Sequence, residues 1–493
     1  MDYLRYAQDP KEFLKTSNEL IQQWDWSRDI ERYHSLDKLC VSQDLEKVCK
    51  DYLRYSAQGI SHVFPGALLT EYSLPTYSNL CVPLLHNWLD TPQIDPLVII
   101  SHPEDAERIC KSHVKKAPIF TSLLHNSVIS TTDNTEWKEQ RSSMNMAFLP
   151  SLSLKQVFPT SNQRASQCVT RLRDISEGMT RSVNMSEFFL HETLAQLQLS
   201  MFGMSEEFQE STNVAIRNAF SGIDPGYVET YVPNALHELR TQKTKSLFHP
   251  YFQDKDDPNK TIGNLLILTF AGHDTSGHTL TFLLYELCKH LEYQQELIRE
   301  IDAYWSRHSD PTYESFHELP FLTQCITETL RLWPALANGT WRQLEHDDTL
   351  QGHHGDKVVV KKGTYVQIMN WTRHRNKELW GESADIFDPH RHFEDSEIWS
   401  HKGFATYNVS SPRFSPFTYG PRNCIGKNFS HMELRLILLH LFKHYTFTLS
   451  KDQAQRDDQT HLGLNAFTMG PRSVYKHEMY GMQLDIHSRQ AKM

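Results

Sequence analysis

The sequence gives its eight cysteines no evident partners. They stand at Cys40, Cys49, Cys81, Cys110, Cys168, Cys288, Cys325 and Cys424, with no C-x-x-C pair and no regular spacing. That pattern excludes a disulfide scaffold, a four-cysteine zinc site and a dithiol redox centre, and reads as reduced thiols in a cytosol-facing protein. A secretory leader is also missing: the opening "MDYLRYAQDPKEFLKTSNELIQQWDWSRDIERYH" is charged throughout. The longest apolar stretch, Thr261 to Leu287, carries His273, Asp274 and His278 at its middle. Charge at a bilayer centre is costly, so this stretch is expected to be a buried core helix, and no transmembrane segment is expected. Basic excess is lacking as well, because Lys+Arg 50 against Asp+Glu 60 leaves a net charge of -10. Wholesale nucleic-acid binding is therefore not expected. Neither solenoid repeats nor a low-complexity linker divides the chain, which predicts a single domain.

What is present is mostly helical periodicity, over Asp44 to Gln58, Trp137 to Phe148, Phe188 to Phe202, Thr261 to Arg299 and Pro320 to Trp333. Strand patterns are fewer: "PLVIIS" after Asp95, "DKVVVKKGTYVQIM" with a turn at Lys362 and Gly363, and "GMQLDI" near the C-terminus. The expected fold class is mainly α with small β-sheets.

One cysteine sits in an unusual frame, "FSPFTYGPRNCIGKNFSHMELRL", Phe414 to Leu436. Gly420 and Gly426 permit tight turns and close backbone approach, and Arg422 places a positive charge two residues before Cys424. The apolar pattern resumes after Gly426, so Cys424 falls near a helix N-terminus, where backbone N–H groups favour thiolate. Read by residue type, it is either a buried free thiol at a turn or a single thiolate ligand to a metal.

The stretch resembles the haem-binding signature of the cytochrome P-450 superfamily, F-x-x-G-x-R-x-C-x-G, at Phe417, Gly420, Arg422, Cys424 and Gly426. The resemblance implies haem b with Cys424 as the axial ligand to iron, a sulfur that pushes electron density toward the metal. It further implies that Glu328 and Arg331 of "ETLRLWP" and Arg391 of "WGESADIFDPHRHF" form a structural network that locks loops near the haem. Trp137 and Arg141 of "WKEQR", Arg342 of "TWRQLEHD" and Arg422 would partner the haem propionates, a task suited to the planar guanidinium fork. "AGHDTSG" resembles the oxygen-activation stretch, with Ala271 and Thr275 facing the distal side, Ala271 as a substrate-pocket residue, and Asp274 and Thr275 as an acid-alcohol pair that relays protons. Gly272 inside that helix would admit the haem as a close neighbour.

By the same resemblance, Ala337 and Asn338, the loop between Val114 and Asn134, and Ala466 and Phe467 line a pocket for a mostly apolar substrate. The implied activity is a monooxygenase that uses O2 to hydroxylate or epoxidise a lipid, terpenoid or other secondary metabolite. Its electrons would come from NADPH through a flavoprotein reductase, or from ferredoxin. Lys138, Arg413, Lys427, Arg435 and Lys443 are either a docking face for that partner or solvated surface. Two alternatives use the same resemblance: a haem-dependent isomerase or dehydratase, and a thiolate-haem gas sensor. The resemblance runs from residue 44 to 493; residues 1–43 show no membrane anchor, so a cytoplasmic location or a peripheral one on the cytosolic face of the endoplasmic reticulum is expected. Arg141 to Thr275 is short for the family, which implies a reduced lid, and Ser430 replaces a common alanine with little expected effect.

Overall fold

The computed structural model describes residues 93–118, 121–220, 224–241, 246–252, 257–398, 411–456, 463–464, 468–471 and 481–489, with parts of 15–86, mainly 45–57 and 79–86. Its helices of ten residues or more are α1 (Leu45–Ala57), α2 (Pro103–Ser112), α3 (Asn134–Asn145), α4 (Lys155–Ile175), α5 (Met185–Gln196), α6 (Glu206–Phe220), α7 (Tyr227–Thr241), α8 (Pro258–Lys289), α9 (Leu291–Trp305), α10 (Pro320–Leu332) and α11 (Lys427–His444). The expected mainly α class is what the chain adopts.

α8 is the central beam. Asp257 caps it by accepting from the Asn259 N–H, Pro258 occupies its first position, and nearly every residue from Asn264 to Cys288 is buried. A helix apolar on all sides must be covered on all sides, and α5, α10 and α11 pack on it, with α4 behind α5 and α11. Two glycines set how closely α5 and its continuation approach. A Cβ at Gly272 would stand 2.9 Å from both methyls of Leu197, and one at Gly277 would stand 3.1 Å from the backbone of Leu190. Gly272 thus makes room for Leu197, a close neighbour that the sequence reading did not name.

The single helix expected from Thr261 to Arg299 is two. His290 leaves helical geometry at φ -121, ψ 72, ends α8 and starts α9. Its ring lies between Glu286 and Glu292, at 3.7 and 3.5 Å, and stacks on Phe387. Neither proline nor glycine announces this break.

The strands form small sheets. β1 (Leu80–His86), β2 (Gln93–Ile100), β7 (Tyr365–Ile368) and β4 (Thr340–Gln343) make a four-stranded sheet in that order, with β2 parallel to β7 and the other pairs antiparallel. β5 (Asp348–Gln351) pairs with β6 (Lys357–Val360), and the turn before β7 holds Gly363 at φ 90, as the Lys-Gly pair implied. β3 (Val183–Asn184), β11 (Gln483–Ser488) and β8 (Tyr445–Leu449) form a third sheet, and β9 (Gly463–Leu464) pairs with β10 (Met469–Gly470). The inward residues Val98, Ile100, Val366 and Ile368 share a small core with Ala106, Ile109 and Cys110 of α2. That core matters because α2 forms one wall of the cysteine loop. Among the described residues no helix is long and apolar enough to cross a membrane.

Candidate functional site

The cysteine loop is closed by backbone and braced from three sides. Cys424 N–H donates to the Phe417 carbonyl at 2.8 Å, and Arg373 holds the incoming strand through the Pro412 carbonyl and Ser415 Oγ at 2.8 and 2.7 Å. Gly420 lies at φ +67 against α2, where a Cβ would come 2.6 Å from the Cys110 carbonyl oxygen, so both conformation and space demand glycine. Gly426 differs: at φ -83 it caps α11, and a Cβ there would meet Phe148 and the Cys424 Sγ at 3.7 and 4.0 Å, ordinary contact distances. Arg141 donates to the carbonyl and the Oδ1 of Asn423 at 2.7 and 2.8 Å, gripping the loop one residue before the sulfur.

Cys424 is exposed, yet burial pushes its thiol above the usual range. The N–H groups of Gly426 and Lys427 and the charges of Arg141 and Lys427 oppose the rise without cancelling it. The helix start therefore acts on the sulfur in the direction of thiolate, as expected. On α8, Ala271 is likewise exposed, although its neighbours His273 and Asp274 are buried. A hydrogen bond of 3.0 Å between Ser276 and Ser430 ties this part of α8 to the first turns of α11. The serine at 430, expected to matter little, supplies half of that tie. Beside it, burial holds the Glu433 carboxyl well above the usual range, and the Ser276 hydroxyl relieves this only in part.

Three cations converge, and the Glu345 carboxylate acts on Arg342 and Arg422 only from beyond ion-pair distance. Arg422 lies 4.4 Å over the buried Trp137 ring and donates only to the carbonyls of Val114, Val128 and Thr131 and to Asn134 Oδ1. Arg342 gives Nη1 to Thr340 Oγ1 at 2.7 Å and to the Trp341 carbonyl, while its buried Nε and Nη2 have no partner. Lys116 Nζ donates to the same Thr340 hydroxyl at 2.6 Å and is buried. Burial and the neighbouring charges of Arg342 and Arg422 hold the Lys116 ammonium well below its usual range. Burial and Arg342 bring Arg422 down to about 9. Among the described residues none of the three meets a carboxylate within ion-pair distance, an arrangement that is costly unless an anion joins it. A flat group carrying carboxylates, beside a single sulfur, fits this donor set, and haem is such a group. Lys116 was missed in the sequence, where it is one of two adjacent lysines with nothing to distinguish it.

The acid-base trio comes together. Glu328 receives Nε and Nη2 of Arg331 at 2.8 and 2.7 Å, Nε of Arg391 at 3.0 Å and the Asp388 N–H at 3.1 Å. Arg331 spends its remaining donors on the carbonyls of His374, Ala384 and Ile386, so the buried charges are fully hydrogen-bonded.

On α8, Thr275 Oγ1 donates to the Ala271 carbonyl at 2.9 Å. Asp274 is engaged elsewhere: the Thr468 hydroxyl donates to Oδ2, and His278 Nε2 lies 3.6 Å from Oδ1. Burial alone would raise the Asp274 carboxyl, but His278, His273 and Thr468 together bring it below the usual range. Ala337 is buried and its carbonyl accepts from Trp371 N–H, while Asn338 is half-buried beside Gln367. Ala466 and Phe467 lie outside the described residues. Arg435 cannot belong to a docking face, since it is completely buried and donates to the His431 carbonyl and Thr323 Oγ1. Arg413 is paired with Glu397 and Lys443 lies over Trp305, whereas Lys138 remains exposed.

A family model described as Cytochrome P450 matches residues 226–475. The chain is 26% identical over 375 residues to cytochrome P450 3A12 of Canis lupus familiaris, covering 66% of this chain and 71% of that protein. It is 24% identical over 462 residues to cytochrome P450 3A28 of Bos taurus, covering 83% and 86%. Over 219 residues it is 31% identical to the putative cytochrome P450 CYP13A5 of Caenorhabditis elegans, covering 44% and 38%.

Proposed function

Since the chain belongs to the cytochrome P450 family and is a haem monooxygenase, we propose that it inserts oxygen from O2 into a C–H or C=C bond of a mostly apolar organic substrate. A lipid, a terpenoid or another secondary metabolite fits, with electrons delivered from NADPH through a flavoprotein reductase or from ferredoxin. One observation carries the reading: an exposed Cys424 stands in a loop gripped by Arg141, with three buried cations that have no carboxylate within ion-pair distance among the described residues.

Cys424 would hold the iron, with the N–H groups of Gly426 and Lys427 tempering the negative charge on its sulfur. Arg422, Arg342 and Lys116 would take the two propionates, Trp137 backs Arg422, and Arg141 keeps the loop in place. Glu328, Arg331 and Arg391 are structural. Haem, when bound there, supplies the site at which O2 is reduced and the oxidising power for the substrate. Asp274 and Thr275 manage protons on the other side: the hydroxyl both donates and accepts, and its bond to the Ala271 carbonyl fixes its direction.

The test is turnover under isotopically labelled O2 with NADPH and a reductase, using substrates found by spectral titration of an apolar library. Label in the product, one oxygen atom per molecule, is the expected result. A product formed without label and without NADPH would establish the isomerase or dehydratase alternative instead.

A further inference from the structure

Asp274 sits mid-helix, where the backbone N–H groups are already bonded within α8, so a buried carboxylate there needs donors from elsewhere. Two side chains approach it. His278, one turn along the same helix, brings Nε2 to 3.6 Å from Oδ1. The other comes from 194 residues along the chain, the hydroxyl of Thr468, which donates to Oδ2. Asp274, His278 and Thr468 are 6%, 0% and 1% exposed, so water does not compete for these contacts.

Thr468 is not on a loose tail. It directly precedes β10, and the next residue, Met469, donates its N–H to the Ala335 carbonyl at 2.9 Å. Ala335 belongs to the turn after α10 that also carries Ala337 and Asn338, and Gly339 pins that turn against the Ile368 carbonyl, where a Cβ would collide at 1.8 Å. The Thr468 hydroxyl is therefore held at a fixed height against α8 by elements that are themselves fixed.

We propose that Thr468, assisted by His278, is the positioning residue for Asp274, and that it makes the paired strands β9 and β10 a working part of the distal side. The assignment rests on the reading of Asp274 and Thr275 as the proton-handling pair. Asp274 cannot take its direction from Thr275, whose own hydroxyl is turned to Ala271. A donor from outside the helix fixes the carboxylate as an acceptor in one orientation, ready to receive a proton and pass it toward Thr275. The charged and titratable groups facing it agree with that role: His278 and His273 on α8, and Arg217 on α6, which acts on His273. Nothing in the local sequence marks Thr468, because its relation to Asp274 exists only in the folded chain.

The experiment compares the haem-loaded wild type with Thr468→Val, which keeps shape but loses the donor, Thr468→Ser, which keeps the donor, and Asp274→Asn. Two readouts need no substrate: the infrared C=O band of the protonated Asp274 carboxyl followed against pH, and the share of NADPH that emerges as hydrogen peroxide when a reductase drives O2 reduction. Loss of the donor should move the Asp274 titration upward by about one pH unit. It should also raise the peroxide share severalfold, and Thr468→Ser should restore both. If Thr468→Val does not take up haem, Thr468→Ala replaces it with the same readouts. A variant lacking the donor that titrates and partitions like wild type overturns the proposal. If Asp274→Asn itself partitions like wild type, the proton-handling reading fails, and a shifted infrared band would then still support the positioning contact.

Discussion

Replacing Glu328 by alanine removes one carboxylate and leaves two buried guanidinium groups. The carboxylate accepts from Arg331 twice, from Arg391 and from the Asp388 N–H. Stripping one partner from a buried ion cluster costs about 3–5 kcal/mol. Here both cations keep other acceptors: Arg331 retains three carbonyls, and Arg391 retains those of Trp380, Ser383 and Ile386. Those bonds hold the Nη groups, while the Nε–H of each arginine loses its acceptor, so a loss within that range, about 3–5 kcal/mol, is expected. That is a large fraction of the roughly 5–15 kcal/mol that holds a folded protein together. Urea denaturation of the haem-loaded protein, followed by tryptophan fluorescence and by the haem absorbance, measures it. The midpoint should fall while the slope stays unchanged. Glu328→Gln should recover little, because it keeps one acceptor but turns an amide NH2 toward the guanidinium groups. A loss smaller than about 0.5 kcal/mol in Glu328→Ala, the range of an unremarkable surface change, would refute the reasoning.

Gly420→Ala combines a left-handed backbone with a collision at the Cys110 carbonyl; it should cost about 1–3 kcal/mol and release haem on gel filtration. Arg342→Met removes a buried cation whose Nε and Nη2 lack partners. The haem-free protein should be as stable as wild type or more so by thermal denaturation, while haem titration shows affinity falling about tenfold or more. For Glu433, burial raises the folded pKa, so its contribution favours the folded state below the ordinary glutamate value of about 4.3 and is lost as pH rises from there through the folded value. Glu433→Gln should accordingly match wild type near pH 4, by about the ordinary carboxyl value, and be the more stable protein at neutral pH in paired urea titrations.

Local patterns carried much of the fold into the sequence. α1, α8 and α10 have apolar positions at helical spacing, and the lysine-glycine turn before β7 states its own geometry. α4 was hidden because its run "KQVFPTSNQRASQCVTRLRDI" mixes charge with a proline at Pro159, and its buried face shows only against α5 and α11. α7 carries Pro233 for the same difficulty. In the site, the cysteine loop and the Glu328 trio were legible because fixed spacings in a motif carry them. Lys116 and Thr468 were not, since each acquires meaning from a residue hundreds of positions away: Lys116 from Thr340, at 224, and Thr468 from Asp274, at 194. His278 could have been found, as residues four apart on a helix share a face and an imidazole beside a carboxylate is a natural pair. At Gly272 a close neighbour could be inferred from the sequence, but only packing identifies Leu197 as one.

The claim on which the rest depends is that Cys424 is the sulfur ligand of a haem. The direct measurement is the absorption spectrum of the reduced protein under carbon monoxide, recorded for wild type and for Cys424→Ala reconstituted with equal haem. Wild type should show the long-wavelength Soret band characteristic of thiolate ligation, and the variant should lack it. The same band in both proteins, or its absence from fully haem-loaded wild type, would contradict the account.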